Sequence, residues 1–188
     1  MSFFSWDIAL FSWLHALAGN SVFFDALTIF LATYLIYFLM GAIAFVAIFW
    51  YVRHPGEWKH PLLFVIAVYG SAFIARIVVV ESLRVLVDRM RPFEVLPAVY
   101  QLVAHTAGKS FPSGHASFFF AAASALMVYH KKAGIAFLCA AFLTSLARVI
   151  AGVHWPSDIF AGAIVGILTA WIIRKILQIR TFTGAKSW

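Results

Sequence analysis

The chain has 188 residues, 64% of them hydrophobic and 11% charged, against about 45–50% apolar and 25% charged in a soluble domain. That excludes a water-soluble globular protein, and 20 Phe, 7 Trp and 6 Tyr exclude a disordered one, which cannot carry so many large apolar side chains. The net charge of +7, from 14 Lys and Arg against 7 Asp and Glu, then reads as attraction to anionic headgroups and an anionic substrate rather than to nucleic acid.

Met1 to Asn20 has no basic stretch ahead of its apolar residues, and Asp7 interrupts it, so it does not read as a secretory signal. Trp6 and Trp13 among Ser, Asp and His suit a helix over residues 1–21 lying in the membrane interface, with a shallow re-entrant helix as the alternative. Apolar runs follow at about 25–51, 62–86, 114–130, 134–151 and 158–179, each long enough for a hydrocarbon core that takes about 20 helical residues. The expected architecture is a single all-α integral membrane domain over residues 1–188, a bundle of about five transmembrane helices plus the N-terminal interfacial or re-entrant helix. Cys139, inside the run Phe137 to Phe142, is expected to be buried and inert, and as a lone cysteine it forms no internal disulfide. Gly162 and Gly166 make a small-residue face suited to helix packing within one chain or between copies in a homo-oligomer.

Arg53, Lys59, Lys131, Lys132, Arg174, Lys175, Arg180 and Lys186 collect on one side, which the positive-inside rule makes cytoplasmic. The N-terminus, the 88–112 connection and the 152–157 loop then face outward, to the periplasm or cell exterior of an inner (plasma) membrane.

Three stretches on that outer side hold nearly all the unusual polar residues, each at a helix end. In Arg148 to Asp158, His154 precedes Asp158 by four residues. A carboxylate at this spacing can hold one ring nitrogen and leave the other as a nucleophile or base, although a helix-capping Asp beside an interfacial His fits equally well. Arg148 closes an otherwise apolar helix, and an ionisable residue at membrane depth points to function. In Lys109 to His115, Ser113 can cap the third span, Gly114 lets backbone approach a ligand, and the free N–H groups suit an oxyanion with His115 above it. In Arg84 to Pro92, Arg84, Arg89 and Arg91 supply guanidinium groups that match phosphate bidentately, or else a snorkelling cluster paired with Glu81 and Asp88. Asp88 is placed to orient both Arg84 and Arg91. Arg76 and Glu81, five apart, are not ideal helical neighbours, so Glu81 is expected to pair with Arg84 and Arg76 to snorkel or meet another span. His105 and Lys109 read as exposed loop residues, and His15, His54, His60 and His130 as solvated interfacial ones.

Taken together, Arg84-x6-Arg91-Pro92, Pro112-Ser113-Gly114-His115 and Arg148-x5-His154-x3-Asp158 make the sequence resemble the type 2 phosphatidic acid phosphatase superfamily of membrane lipid phosphatases. That family's pattern is K-x6-R-P, P-S-G-H and S-R-x5-H-x3-D; Arg84 stands in for the Lys, and Ala147 for the Ser. The resemblance implies that His154, oriented by Asp158, attacks phosphorus and forms a phosphohistidine. It implies further that His115 protonates the leaving oxygen and then activates water, and that Arg84, Arg91, Arg148, Ser113 and Gly114 hold the phosphate oxygens. No metal and no cofactor are implied. Within the family, the layout is most similar to the bacterial undecaprenyl diphosphate phosphatases of the bacitracin-resistance type, which implies conversion of undecaprenyl diphosphate to undecaprenyl phosphate. Phosphatidylglycerol phosphate, phosphatidate and lipid A are the alternative substrates. An anion or lipid transporter is the alternative outside enzymes, and it calls for a polar path that residues 114–146 do not supply.

Overall fold

The computed structural model describes residues 5–177. Arg180 and Lys186 of the basic count, the last two residues of the fifth expected span and the first four of the chain lie outside the described residues. The described chain is helical. Helix α1 is Ser5–His15; α2 is the long run Val22–Arg53 and α3 the run Lys59–Leu86; a short α4, Pro92–Val95, sits in the connection. Three helices follow: α5 (Gly114–Tyr129), α6 (Lys131–Ile150) and α7 (Pro156–Ile176).

The starts of these helices are written in their first residues. Ser21 Oγ accepts from Phe24 N at 3.5 Å to open α2, and Ser113 Oγ accepts from Ala116 N at 3.4 Å to open α5. Pro92 and Pro156 occupy first turns, where a missing N–H costs nothing. Helix α3 is not regular: Ile66–Gly70 and Ile74–Val79 are π-helical, the second stretch lying where the chain approaches the polar end of the bundle.

Helices α2, α3, α6 and α7 are long and apolar enough to cross a membrane, and the protein is a multi-pass membrane protein. Helix α5 is shorter than expected for a span, with 16 residues, or about 24 Å at 1.5 Å per residue. It is the central helix, packed against α7, α6 and α3. Protein rather than lipid therefore surrounds much of it, and Phe119, Ala121, Ala122, Ala123, Ala125 and Leu126 are buried. Gly162 and Gly166 serve this packing: a Cβ at Gly162 would lie 2.6 Å from Ser113 O, and one at Gly166 would meet Ser117 O. The small-residue face is thus used within the chain.

Helix α1 lies across the ends of α6 and α7. Phe11 and Leu14 are buried with Val149, Ile150 and Trp155, and the Phe11 and Trp155 rings are 5.1 Å apart. Trp6 and Trp13 remain exposed beside this contact. Two expectations are corrected here. His15 is held by protein, with Nδ1 2.8 Å from Ile150 O and its ring stacked on Phe11. Cys139 is exposed rather than buried, because Gly134, Ala141, Ser145 and Arg148 form the inward stripe of α6 and Cys139 falls outside it. In a helix apolar all round, sequence does not separate the lipid-facing side from the core. Between α1, α2, α6 and α7 lies an apolar recess of about 870 Å³, lined in part by Trp13, Leu31, Phe142, Ala147 and Ile159.

Candidate active site

Three segments distant in sequence meet at one end of the bundle: the end of α3 with the loop into α4, the start of α5, and the loop from α6 into α7. Ser113 N donates to Asp158 O at 3.0 Å, Arg91 Nη1 to Val153 O at 2.8 Å, and Arg91 Nη2 to Lys109 O at 3.2 Å. The residues of the three motifs all lie in this region.

His154 is 1% exposed. Its Nδ1 is 3.4 Å from Asp158 Oδ2, and its Nε2 is 3.3 Å from Arg91 Nη1. A guanidinium can only donate, so the Arg91 contact requires a lone pair on Nε2 and places the ring proton on Nδ1, facing the carboxylate. Asp158 is buried in the first turn of α7; Oδ2 also accepts from Trp155 N at 2.9 Å, and Oδ1 from Arg89 Nη1 at 2.7 Å. Helix cap and histidine partner are therefore one residue in two roles. Burial first, then the positive charges of Arg148 and Arg91, with His115 and His105 adding, hold His154 well below the usual histidine range. It is thereby neutral and unprotonated at Nε2 near pH 7.

Around it stand the guanidinium groups. Arg91 and Arg148 are buried, and Arg84 is half-buried. Arg148 Nη1 donates to Ala32 O at 3.2 Å, and Arg84 Nη2 to Pro112 O at 3.4 Å. The Nε–H groups of Arg84, Arg91 and Arg148 are all buried without a hydrogen-bond partner. Such a donor is costly to leave unmatched in a folded protein. Burial and the neighbouring charge of Arg84 lower Arg91 to about 10, so it remains cationic. His115 stands on the first turn of α5, its ring centroid 6.4 Å from that of Phe119. Among the described residues, no three His, Cys, Asp or Glu side chains group in a way that could hold a metal ion.

Several sequence expectations change. Asp88 does not orient Arg84 and Arg91: it is 87% exposed and faces Lys109 Nζ at 3.9 Å. Glu81 does pair with Arg84, at 3.1 Å, but the same oxygen also binds Arg76. The π-helical turn Ile74–Val79 is the reason, since its wider repeat brings residues five apart onto one face. A Cβ at Gly114 would lie 2.8 Å from Arg76 Cζ, so the glycine lets that guanidinium rest against the start of α5. His105, read as an exposed loop residue, brings its ring within 6.1 Å of His154, edge to face. Arg89, read with Arg84 and Arg91 as a phosphate-matching or snorkelling guanidinium, is instead bound to Asp7 and Asp158; a role for the buried Asp7 was passed over, although its signal was an acid within an apolar helix.

Burial, followed by repulsion from Arg91, Arg148 and Arg84, lowers His105 to about 4. The unfolded chain binds this proton near pH 6.5 and the folded one only near pH 4, so unfolding takes up a proton in that window and stability falls as pH falls through it. In thermal unfolding, the wild type is expected to lose more Tm between pH 7 and pH 5 than His105→Gln, which lacks this contribution; equal losses would contradict it.

Residues 61–182 match the model of the PAP2 superfamily, covering all three motif segments. The chain belongs to the PAP2 superfamily. Across 92% of its length, this PAP2 protein is 33% identical to the protein named bacitracin transport permease protein BcrC of Bacillus licheniformis, covering 81% of that protein. It is 27% identical to undecaprenyl-diphosphatase BcrC of Bacillus subtilis, over 87% of this chain and 80% of that one. The crystal structure of Aquifex aeolicus LpxE superposes with a TM-score of 0.69 at 27% identity, covering 92% of this chain and 96% of that one. A PAP2 type phosphatidylglycerolphosphate phosphatase from Bacillus subtilis shares the fold, with a TM-score of 0.64 at 21% identity over 95% of this chain and 88% of that one. The expected family and the all-α membrane fold are both borne out, and the protein is a phosphatase of this superfamily.

Proposed function

We propose that this PAP2 phosphatase releases phosphate from a lipid diphosphate, converting undecaprenyl diphosphate to undecaprenyl phosphate at the outer face of the plasma membrane, through a phosphohistidine. The observation that carries this reading is the set of three buried, unmatched Nε–H donors of Arg84, Arg91 and Arg148 around a histidine whose Nε2 presents a lone pair. Such donors suit the non-bridging oxygens of a phosphate in the transition state.

In the first step Nε2 of His154 attacks the terminal phosphorus, the bond from phosphorus to the bridging oxygen breaks, and His115 gives that oxygen its proton. In the second, neutral His115 takes a proton from water, the oxygen attacks phosphorus, and the P–N bond breaks to free inorganic phosphate and restore His154. Asp158 holds Nδ1–H throughout and stabilises the positive ring that phosphorylation creates. Arg84, Arg91 and Arg148, with Ser113 and the Gly114 amide at the positive end of α5, balance the charge on phosphate. The recess beside Ala147 and Ile159, the sequence neighbours of Arg148 and Asp158, suits a hydrocarbon chain. The basic count on the other side supports the outer face, and the relative named undecaprenyl-diphosphatase supports the diphosphate. Lipid A 4'-phosphatase of Bacteroides thetaiotaomicron, 32% identical over 62% of this chain, keeps monophosphates in the comparison.

The test is phosphate release by purified protein in detergent with EDTA, offered undecaprenyl diphosphate, phosphatidylglycerol phosphate, phosphatidate and lipid A in parallel. The expected result is metal-independent release, fastest from the diphosphate, with an acid-labile, alkali-stable phosphoenzyme after rapid quenching. No release from any lipid would overturn the reading. A transport reading, for which one relative is named, predicts flux across liposomes without release. Among the described residues, the buried ionisable side chains Asp7, Arg89, Arg91, Arg148, His154 and Asp158 all lie at one end, which leaves no charged path for it.

A further inference from the structure

Asp7 belongs to α1, 147 residues away in sequence from His154, yet it is completely buried beside the loop that carries this histidine. Its Oδ1 accepts from Ser157 N at 2.9 Å, its Oδ2 accepts from Ser157 Oγ at 2.5 Å, and Oδ2 is also bonded to Arg89 Nη2. Arg89 in turn donates through Nη1 to Asp158 Oδ1 at 2.7 Å and to Ser157 Oγ at 2.6 Å. Its guanidinium carbon lies 5.3 Å from the centre of the Trp155 ring. The result is a buried row of alternating charge, Asp7, Arg89, Asp158, ending on Nδ1 of His154.

We infer that Asp7 and Arg89 are positioning residues of the phosphatase, setting how Asp158 presents its carboxylate to His154. The inference rests on the proposed role of His154. The bond at stake is long, 3.4 Å from Nδ1 to Oδ2, so small movements of the carboxylate decide whether it exists. Arg89 pins Oδ1 and Trp155 N pins Oδ2, which fixes the plane of the carboxylate. Asp7 fixes Arg89 from its far side and shares its charge. Without Asp7, the whole guanidinium charge falls on Asp158, drawing the carboxylate from the imidazole and weakening it as an acceptor. Arg84, Arg91 and Arg148 touch neither Asp7 nor Arg89 in any of these contacts, so substrate binding is spared. Asp7 is the one ionisable residue of α1 in this network, so the helix that rests in the interface also completes the site.

The experiment compares the full chain with Asp7→Asn, Arg89→Gln, Arg89→Lys and the Asp7→Asn/Arg89→Gln double variant. For each, kcat and KM with undecaprenyl diphosphate are measured per mole of folded protein, together with Tm. The expected kcat losses are about 10-fold for Asp7→Asn and about 100-fold for Arg89→Gln, the span usual for partners that orient a functional histidine, with KM within about twofold. Arg89→Lys is expected to recover part of the rate. Because Asp7 acts through Arg89, the double variant should be no slower than Arg89→Gln alone. Equal further slowing by Asp7→Asn in that background, or a loss confined to Tm and KM, would overturn the inference.

A second measurement needs no turnover. In protein labelled with 15N at its 7 histidines, His154 is expected in one tautomer, protonated at Nδ1, and in a mixture in Asp7→Asn. An unchanged tautomer ratio overturns the positioning role whether or not the lipid reading stands. Silence of the wild type toward every lipid overturns the lipid reading alone.

Discussion

His154→Ala is expected to lower kcat for phosphate release by at least roughly 10⁴-fold, the scale on which enzymes lose rate when an attacking nucleophile is removed. The loss is chemical rather than architectural. Asp158 keeps Arg89 and Trp155 N when the imidazole goes, and Arg91 keeps Val153 O and Lys109 O, so the surrounding loop retains its ties. The alanine leaves a cavity in a buried position, so Tm should drop while the folded protein still binds substrate. The decisive readings are single-turnover phosphate release and the quenched phosphoenzyme: neither should appear in the variant. Release that survives the substitution would assign the attack to another group or to water.

Asp158→Asn is expected to cost about 10³- to 10⁴-fold in kcat, comparable to replacing the carboxylate that holds a catalytic histidine in its reactive tautomer. An amide cannot satisfy this site in either orientation. With NH₂ at the Oδ1 position, it faces the donor Arg89; with NH₂ at the Oδ2 position, it faces Trp155 N–H and demands a lone pair from His154 Nδ1, moving the proton to Nε2. The first choice sets two donors together in a buried site, and the second removes the nucleophile. The same kinetic assay checks it, with KM expected to change little because the arginines remain. A kcat within about tenfold of wild type would return Asp158 to a capping role alone.

The legible and illegible parts of this molecule divide on physical grounds. Apolar runs separated by charged turns located the long helices, since lipid tolerates no other signal, and the three motif segments were legible because ionisable groups at membrane depth are rare. The pairing of Arg76 with Glu81 was hidden because it depends on a π-helical turn, and ordinary helical spacing is the only register a sequence reader can apply. Asp7 looked like an interruption of α1. Its role depends on Arg89 and Ser157, 82 and 150 residues away in the chain, and no local pattern encodes that distance. His105 was passed over for a similar reason: its loop shows no periodicity, and only the folded path brings it beside His154. The side of α6 that meets lipid was illegible because lipid and core select the same side chains.

The shortness of α5 has a bearing on how the bilayer itself takes part. A helix of 16 residues rises about 24 Å, several ångströms less than a hydrocarbon core of about 30 Å. The pair Gly114 and His115 opens that helix, so the reacting groups are tied to its end. Protein rather than lipid surrounds much of α5, and the longer helices α2, α3, α6 and α7 meet the bilayer, so the headgroup plane can stand above the chemistry without the membrane thinning. In the thicker membrane, a lipid headgroup has to sink toward the arginines before it can react; in a membrane of shorter acyl chains, it arrives already level with them. Turnover is therefore expected to respond to membrane thickness through the headgroup's approach rather than through the bonds that break.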